Sequence, residues 1–529
     1  MLNRQNLELF KGAISSATRT TSAADEALVK RFIELRPGLL ATLGSPVNHL
    51  VTGRRGVGKS TTLALLQQRV EKQGDWVIFV DVETHKDRAY PDVLVEIILE
   101  ILEAVKPRPT SLEKIRTLRD IGKLKKVLRF LRDAPEEVTE TSQTEERAKT
   151  ARGIRLSGSV QRSYLSLAGS LGASKEAFRS TSRTSSIVRR KDAYLRDIAP
   201  AISRVLESAT SIAGKKKLLL VLDDFYFIGT ETQPLVLDHL HGITKRSNVW
   251  LKIGSVHSRT RSYVEGDPPR GMQPPNDLQH LSLDVGLADF STAKAFLEDV
   301  TNGVLAESGL TIRETLTDTA RERAVLVAGG AVSRDYFDLL IAAADAEWER
   351  AQRRSDKNRE FRIGAESVQA AAGRMLERKQ TDLRNDAGRD VGRLESRFAD
   401  LIGFARDRDT YFFLVKRSDI DSEWGREIVQ LEDLRFVHRI MVTRPNTGSM
   451  RRVDTIVFMM DIPALVDTRM QKLPVEFWKP RQADELRKSS WVYSPGWTSR
   501  AGQSTRPKRS AGDHIEVGDE QVANHSPEA

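Results

Sequence analysis

Residues 53–60 read G-R-R-G-V-G-K-S, and no other stretch narrows the possible folds so far. The spacing G-x-x-x-x-G-K-[ST] is that of a phosphate-binding loop, and its spelling follows from chemistry. Gly53, Gly56 and Gly58 let the backbone turn tightly, so that successive N–H groups around Arg54, Arg55 and Val57 face one concavity. At the mouth of a helix such a concavity holds a polyphosphate. Lys59 would reach the outer phosphates, Ser60 would offer a hydroxyl to Mg²⁺, and Thr61 follows in the first helical turn. The flanks agree. Asn48 to Thr52 (N-H-L-V-T) reads as a strand, and Thr61 to Val70 (T-T-L-A-L-L-Q-Q-R-V) has helical apolar spacing. A strand before and a helix after is the setting this loop requires.

At 529 residues the chain exceeds what one core can serve, so two or three domains are expected. It has no apolar run of about 18 residues, the length a membrane-spanning helix needs. Met1 to Lys11 has no stretch of signal-peptide type. Cysteine is absent, which excludes disulfides, cysteine-ligated zinc, iron–sulfur clusters and cysteine nucleophiles. Together these point to a cytoplasmic protein. The net charge of +10 and the pI of about 9.5 make nucleic acid a plausible partner.

Taken in order, Asp25 to Leu43 reads as helix broken at Pro37, covering one side of the nucleotide site. Asp75 to Val82 (D-W-V-I-F-V-D-V) is a near-continuous apolar run, as in a strand covered on both faces. Tyr90 to Val105 is an amphipathic helix. From Lys106 to Lys217 there are 26 Lys or Arg against 12 Asp or Glu, a net of +14. Its middle, Ala134 to Ser186, is poor in apolar residues and reads as a partly flexible insertion. It is either a solvated helical hairpin or a basic arm that touches nucleic acid or a partner.

Leu218 to Asp224 (L-L-L-V-L-D-D) is an apolar strand ending in two carboxylates. Beside a phosphate loop, Asp223 would hold Mg²⁺ and Asp224 would polarise the attacking water. Asn248 to Val256 is a further strand ending at Ser255, where a polar side chain could sense the γ-phosphate. Arg259 and Arg261 follow, as surface charge or as an arginine finger acting in trans. After a Pro- and Gly-rich loop (Gly266 to Asp277) and a short strand (His280 to Leu283), helices run from Asp289. Among them, Gly329 to Leu340 (G-G-A-V-S-R-D-Y-F-D-L-L) places Arg334 in a first helical turn, able to reach a nucleotide held by another domain.

Val391 to Ala405 and Arg426 to Ile440 read as amphipathic helices, with a strand-like run at Tyr411 to Val415 between them. A hairpin follows, from Met441 to Arg444 and Val453 to Asp461, turning at Pro445 to Gly448. This is the order of a winged helix, in which one helix enters the major groove and the hairpin touches backbone. Arg435, His438, Arg439, Arg451 and Arg452 are its contact candidates; the alternative is a subdomain used only for protein contacts. The end of the chain is polar and reads as disordered.

In this order G-R-R-G-V-G-K-S, L-L-L-V-L-D-D, the strand ending at Ser255 and G-G-A-V-S-R-D resemble AAA+ ATPases. The branch is that of origin-recognition initiators and the related STAND signalling ATPases. The resemblance covers roughly Asp25 to Leu376, and more loosely Val391 to Val466. It implies a parallel α/β P-loop sheet with a helical lid and a C-terminal winged helix. It gives Arg334 the role of the lid's sensor arginine. The expected divisions are 1–46, a helical segment; 47–288, the ATPase core with the insertion at about 106–217; 289–385, the lid; 386–475, the winged helix; and 476–529, a disordered tail. Asp224 stands where many members have Glu, one methylene longer, which implies slow hydrolysis. Two functions follow from the resemblance: an ATP·Mg²⁺-driven switch on DNA, or a STAND-like ATPase that controls an effector protein, as in anti-phage defence. Self-association is left open.

Overall fold

The computed structural model describes residues 2–18, 33–105, 112–134, 137–140, 187–245, 247–353, 360–387, 390–446, 449–466 and 475–497. The middle of the insertion, residues 25–32, the tip of the C-terminal hairpin at 447–448 and the terminal 498–529 lie outside the described residues.

Five parallel strands form the core: β1 (His49–Thr52), β2 (Trp76–Asp81), β3 (Leu218–Asp223), β4 (Val249–Ser255) and β5 (Gln279–Ser282). Their order across the sheet is β2-β3-β4-β1-β5. The chain leaves β1 for the far edge and returns to it, so the sheet changes direction at β1, where a crevice opens at the carboxyl ends of the strands. All six residues of β3 are buried, which explains its unbroken apolar run. Leu218, Leu220 and Leu222 enter one layer with Val80 and Ile253, while Leu219 and Val221 enter the other with Val51 and Leu63.

The helices fill both layers. On one face lie α2 (Leu39–Leu43) and α3 (Lys59–Lys72), while α1 (Arg4–Thr18) packs in the lid described below. On the other lie α4 (Asp92–Ala104), α5 (Leu112–Asp133), α6 (Lys191–Ile212) and α7 (Gln233–Thr244). The described flanks of the insertion are therefore structural. Leu124 and Leu128 of α5 and Ile198 and Ile202 of α6 are buried in the same layer as the sheet.

The lid comprises α8 (Phe290–Leu305), α9 (Asp318–Ala328), α10 (Ser333–Arg353) and α11 (Ala365–Ala387). Leu2, Phe10 and Ile14 complete its core, so the start of the chain belongs to the lid rather than to the sheet. Beyond it come α12 (Val391–Arg408), β6 (Phe412–Lys416), α13 (Glu423–Asp433), β7 (Val437–Thr443) and β8 (Thr455–Met460). The last three strands form an antiparallel sheet of order β6-β8-β7. Lid and C-terminal region share one continuous hydrophobic core.

Two expectations are corrected. The helix expected over 426–440 ends at Asp433, and His438 and Arg439 lie on a strand. The disordered tail expected from 476 does not hold across the described residues 476–497: Phe477, Trp491 and Tyr493 are buried, and Tyr493 N–H donates to Leu414 O at 2.8 Å. The Tyr493 hydroxyl donates to Asp400 at 2.6 Å. The aromatic residues of that segment, Phe477, Trp478, Trp491, Tyr493 and Trp497, supply the apolar area that docks it.

Candidate functional site

Gly56 and Gly58 take φ of 85° and 92°, which a side chain would resist. Gly58 is the residue before α3, and no side chain caps that helix, so its first N–H groups remain available to an anion. Lys59 is buried, and its Nζ donates to Gly53 O at 2.9 Å and to Arg54 O at 3.3 Å. Burial pushes its pKa down, against the pull of Asp224, Asp223 and Asp284.

β3 ends beside the loop. The Ser60 hydroxyl stands near the Asp223 carboxylate. Burial raises the Asp223 carboxyl, and the nearby Ser60 hydroxyl and the Asp224 N–H oppose the rise. Asp224 is pushed up to about 6, first by burial and then by Asp223, Asp81 and Glu83. It sits at φ 53°, in the left-handed region, and accordingly turns off the strand axis. Gly254 of β4 makes room for Asp223 and for Leu63 of α3. A Cβ there would lie 2.5 Å from Asp223 Oδ1 and 2.7 Å from Leu63 Cδ1.

Arg55, Gly56, Gly58, Lys59, Ser60, Thr61, Asp224 and Arg334 line one cavity of about 270 Å³. Arg334 is exposed and reaches it from the first turn of α10, where its N–H donates to Gly56 O at 3.4 Å. The crowding is close, since a Cβ on Gly56 would lie 3.1 Å from Arg334 Cβ. The cavity also takes in Ala17, Glu83, Tyr226, Ser333 and Phe337, which sequence reading missed. Glu83 lies two residues beyond Asp81 at the end of β2 and Tyr226 three beyond Asp223 at the end of β3, which was a usable signal. Ala17 comes from α1 and had none.

The other expected residues turn elsewhere. Gly53 closes the strand, its N–H donating to Ser255 O at 3.3 Å. Val57 packs beneath the loop. Arg54 is buried; it pairs with Asp284 at 3.3 Å and donates to Gly329 O at 3.2 Å. Ser255 does not line the cavity; it is fully buried and its hydroxyl shares a 2.5 Å hydrogen bond with Thr260. Arg259 lies over the Tyr226 ring, 5.0 Å from its centroid, and Arg261 pairs with Glu231 at 3.0 Å.

The C-terminal contact candidates divide in the same way. Arg435 is buried against Asp335 at 2.5 Å. His438 is buried against Asp461, which also holds Lys379 of α11 at 2.7 Å. Arg439 pairs with Glu432 at 3.0 Å and lies 5.5 Å from the Phe458 ring centroid. Three of the five are thus used inside the protein. Arg451 and Arg452 are exposed at the hairpin. The end of α13 packs on the turn at 257–259, and burial there pushes the Asp433 carboxyl up to about 6.

Among the described residues no group of three or more His, Asp or Glu could hold a metal alone, and no helix is long and apolar enough to cross a membrane. The Ser60 hydroxyl beside the Asp223 carboxylate fits Mg²⁺ shared with a phosphate ligand, because that ion takes few protein donors.

No protein-family model and no curated protein sequence matches the chain. Among solved structures, it is similar to the Aeropyrum pernix ORC1 protein in complex with DNA. The identity there is 15% over 83% of this chain and 94% of that one, with a TM-score of 0.33. It is also similar to the Aeropyrum pernix ORC2 protein in ADPNP–ADP complexes, at 14% identity over 82% and 90%, with a TM-score of 0.32.

Proposed function

We propose that the protein is an ATP-binding, slowly hydrolysing AAA+ ATPase of the initiator type that acts as a nucleotide-driven switch on DNA. The observation that carries the reading is the convergence of Lys59, Ser60, Asp224 and Arg334 on one cavity, from the loop, β3 and the lid. Lys59 has three N–H donors and spends two on loop carbonyls, leaving one for a phosphate oxygen. Ser60 and Asp223 would hold Mg²⁺, which supplies charge neutralisation at the phosphates. Asp224, ionised above about pH 6, accepts a hydrogen bond from water and orients it. Arg334 brings a lid cation to the same cavity, so an anion there draws the lid onto the sheet. Because lid and C-terminal region share a core, that closure carries the exposed Arg451 and Arg452 with it.

A second reading is a STAND-like ATPase that controls a partner protein. It is favoured by the burial of Arg435 and His438, which takes two DNA-contact candidates out of reach. Fluorescence anisotropy on a random-sequence duplex, at several salt concentrations and with or without ATP·Mg²⁺, separates the two. Nucleotide-dependent binding supports the first. No binding even at low salt removes it and leaves the second.

A further inference from the structure

The end of α13 breaks a local rule. Arg435 N–H donates to Glu432 O at 3.0 Å and Phe436 N–H to Leu431 O at 2.9 Å. This is the double bond of a Schellman turn, whose left-handed position is usually glycine. Here an arginine occupies it, at φ 67°. A side chain held in that region against its preference is over-determined by its surroundings. Its surroundings include Asp335, at 2.5 Å, with both groups buried.

Asp335 is the neighbour of Arg334 in the first turn of α10, and Arg334 lines the nucleotide cavity. A second contact lies one turn of chain away. Gly329 ends α9 and accepts from Arg54 of the phosphate loop at 3.2 Å, while His438 covers its other side. A Cβ on Gly329 would collide with the His438 ring. The C-terminal region therefore touches the lid on both sides of the stretch that carries Arg334, at Gly329 and at Asp335.

We propose that Arg435 is a positioning residue for the nucleotide site: through its buried pair with Asp335 it sets where Arg334 stands in the cavity. The proposal rests on the nucleotide-site reading above and adds a route by which the C-terminal region and the nucleotide affect each other. Such coupling is reciprocal, so whatever displaces Arg435 weakens nucleotide, and nucleotide resists that displacement.

The test is a double-mutant cycle read by calorimetry with ATP·Mg²⁺ on the full chain. Arg435→Gly removes the side chain and restores the residue that the turn prefers. It should weaken nucleotide binding about tenfold. In an Arg334→Ala background the same substitution should cause no further loss, which a merely structural role would not produce. Should Arg435→Gly alone lower the melting temperature, Asp335→Asn combined with Arg435→Gly leaves no unpaired buried charge. That pair should melt like the wild type and still lose about tenfold. Equal losses with and without Arg334, or no loss in the folded pair variant, overturn the proposal. Lys59→Ala is measured alongside; unchanged affinity there would sink the nucleotide reading itself, a result distinct from additivity in the cycle.

Discussion

Burial beside Asp223 lifts the Asp224 carboxyl to about 6, above the roughly 3.9 of an unfolded aspartate. Between those values the folded chain holds the extra proton, so stability falls as pH rises through about 4 to 6 and stays lower above it. Asp224→Asn removes the buried charge and should raise the melting temperature at pH 7, with no gain below about pH 4. It should also stall phosphate release while nucleotide still binds, because an amide keeps the shape but not the charge that orients water. Melts at the two pH values and a phosphate-release assay check both halves; a wild-type rate discards Asp224 as the water-orienting group. Gly254 gives a steric counterpart. A methyl there meets Asp223 and Leu63 well inside van der Waals contact, so Gly254→Ala should cost about 1–3 kcal/mol in denaturant unfolding. An unchanged midpoint would contradict the close approach of β3 and β4.

At the scale of elements, the glycine turn into α3 and the acidic end of β3 were legible because glycines in a turn and carboxylates ending an apolar strand show in the residue types themselves. The boundary of α13 was not. Ile428, Leu431 and Leu434 keep helical spacing, and the apolar run continues through Phe436, Val437 and Ile440. Neither glycine nor proline marks the stop, because Arg435 occupies the turn that glycine usually fills. The stretch 475–497 was hidden for a different reason. Read together with the polar residues 498–529 it averages as polar, yet on its own it is rich in aromatic residues, and Phe477, Trp491 and Tyr493 are buried. A chain ended after residue 474 should therefore melt lower, since each large buried side chain contributes about 1.5–3 kcal/mol. An unchanged melting temperature would show that this strap adds nothing. Ser255 was misread because position along a strand does not reveal what a hydroxyl bonds; Thr260, five residues on, takes it.

Over the whole molecule, one core joins the N-terminal helix, the lid and the C-terminal region, while the sheet keeps its own layers. Arg334 brings a cation from the lid to the cavity at the sheet, so on the proposed reading the junction between these bodies would be the place where ATP acts. If the hairpin then meets DNA, Arg451→Ala with Arg452→Ala should flatten the slope of log affinity against log salt by up to about 2, at roughly 0.9 per phosphate contact. Anisotropy across a salt series reads this; an unchanged slope would spare DNA binding but discard the hairpin. The most direct measurement is calorimetric titration of ATP·Mg²⁺ into the wild-type chain and into Lys59→Ala. One-to-one binding that disappears in Lys59→Ala is expected, since each charge-assisted hydrogen bond lost costs about 1.5–3 kcal/mol. No binding by the wild type, or equal binding by Lys59→Ala, would contradict a nucleotide site at residues 53–60.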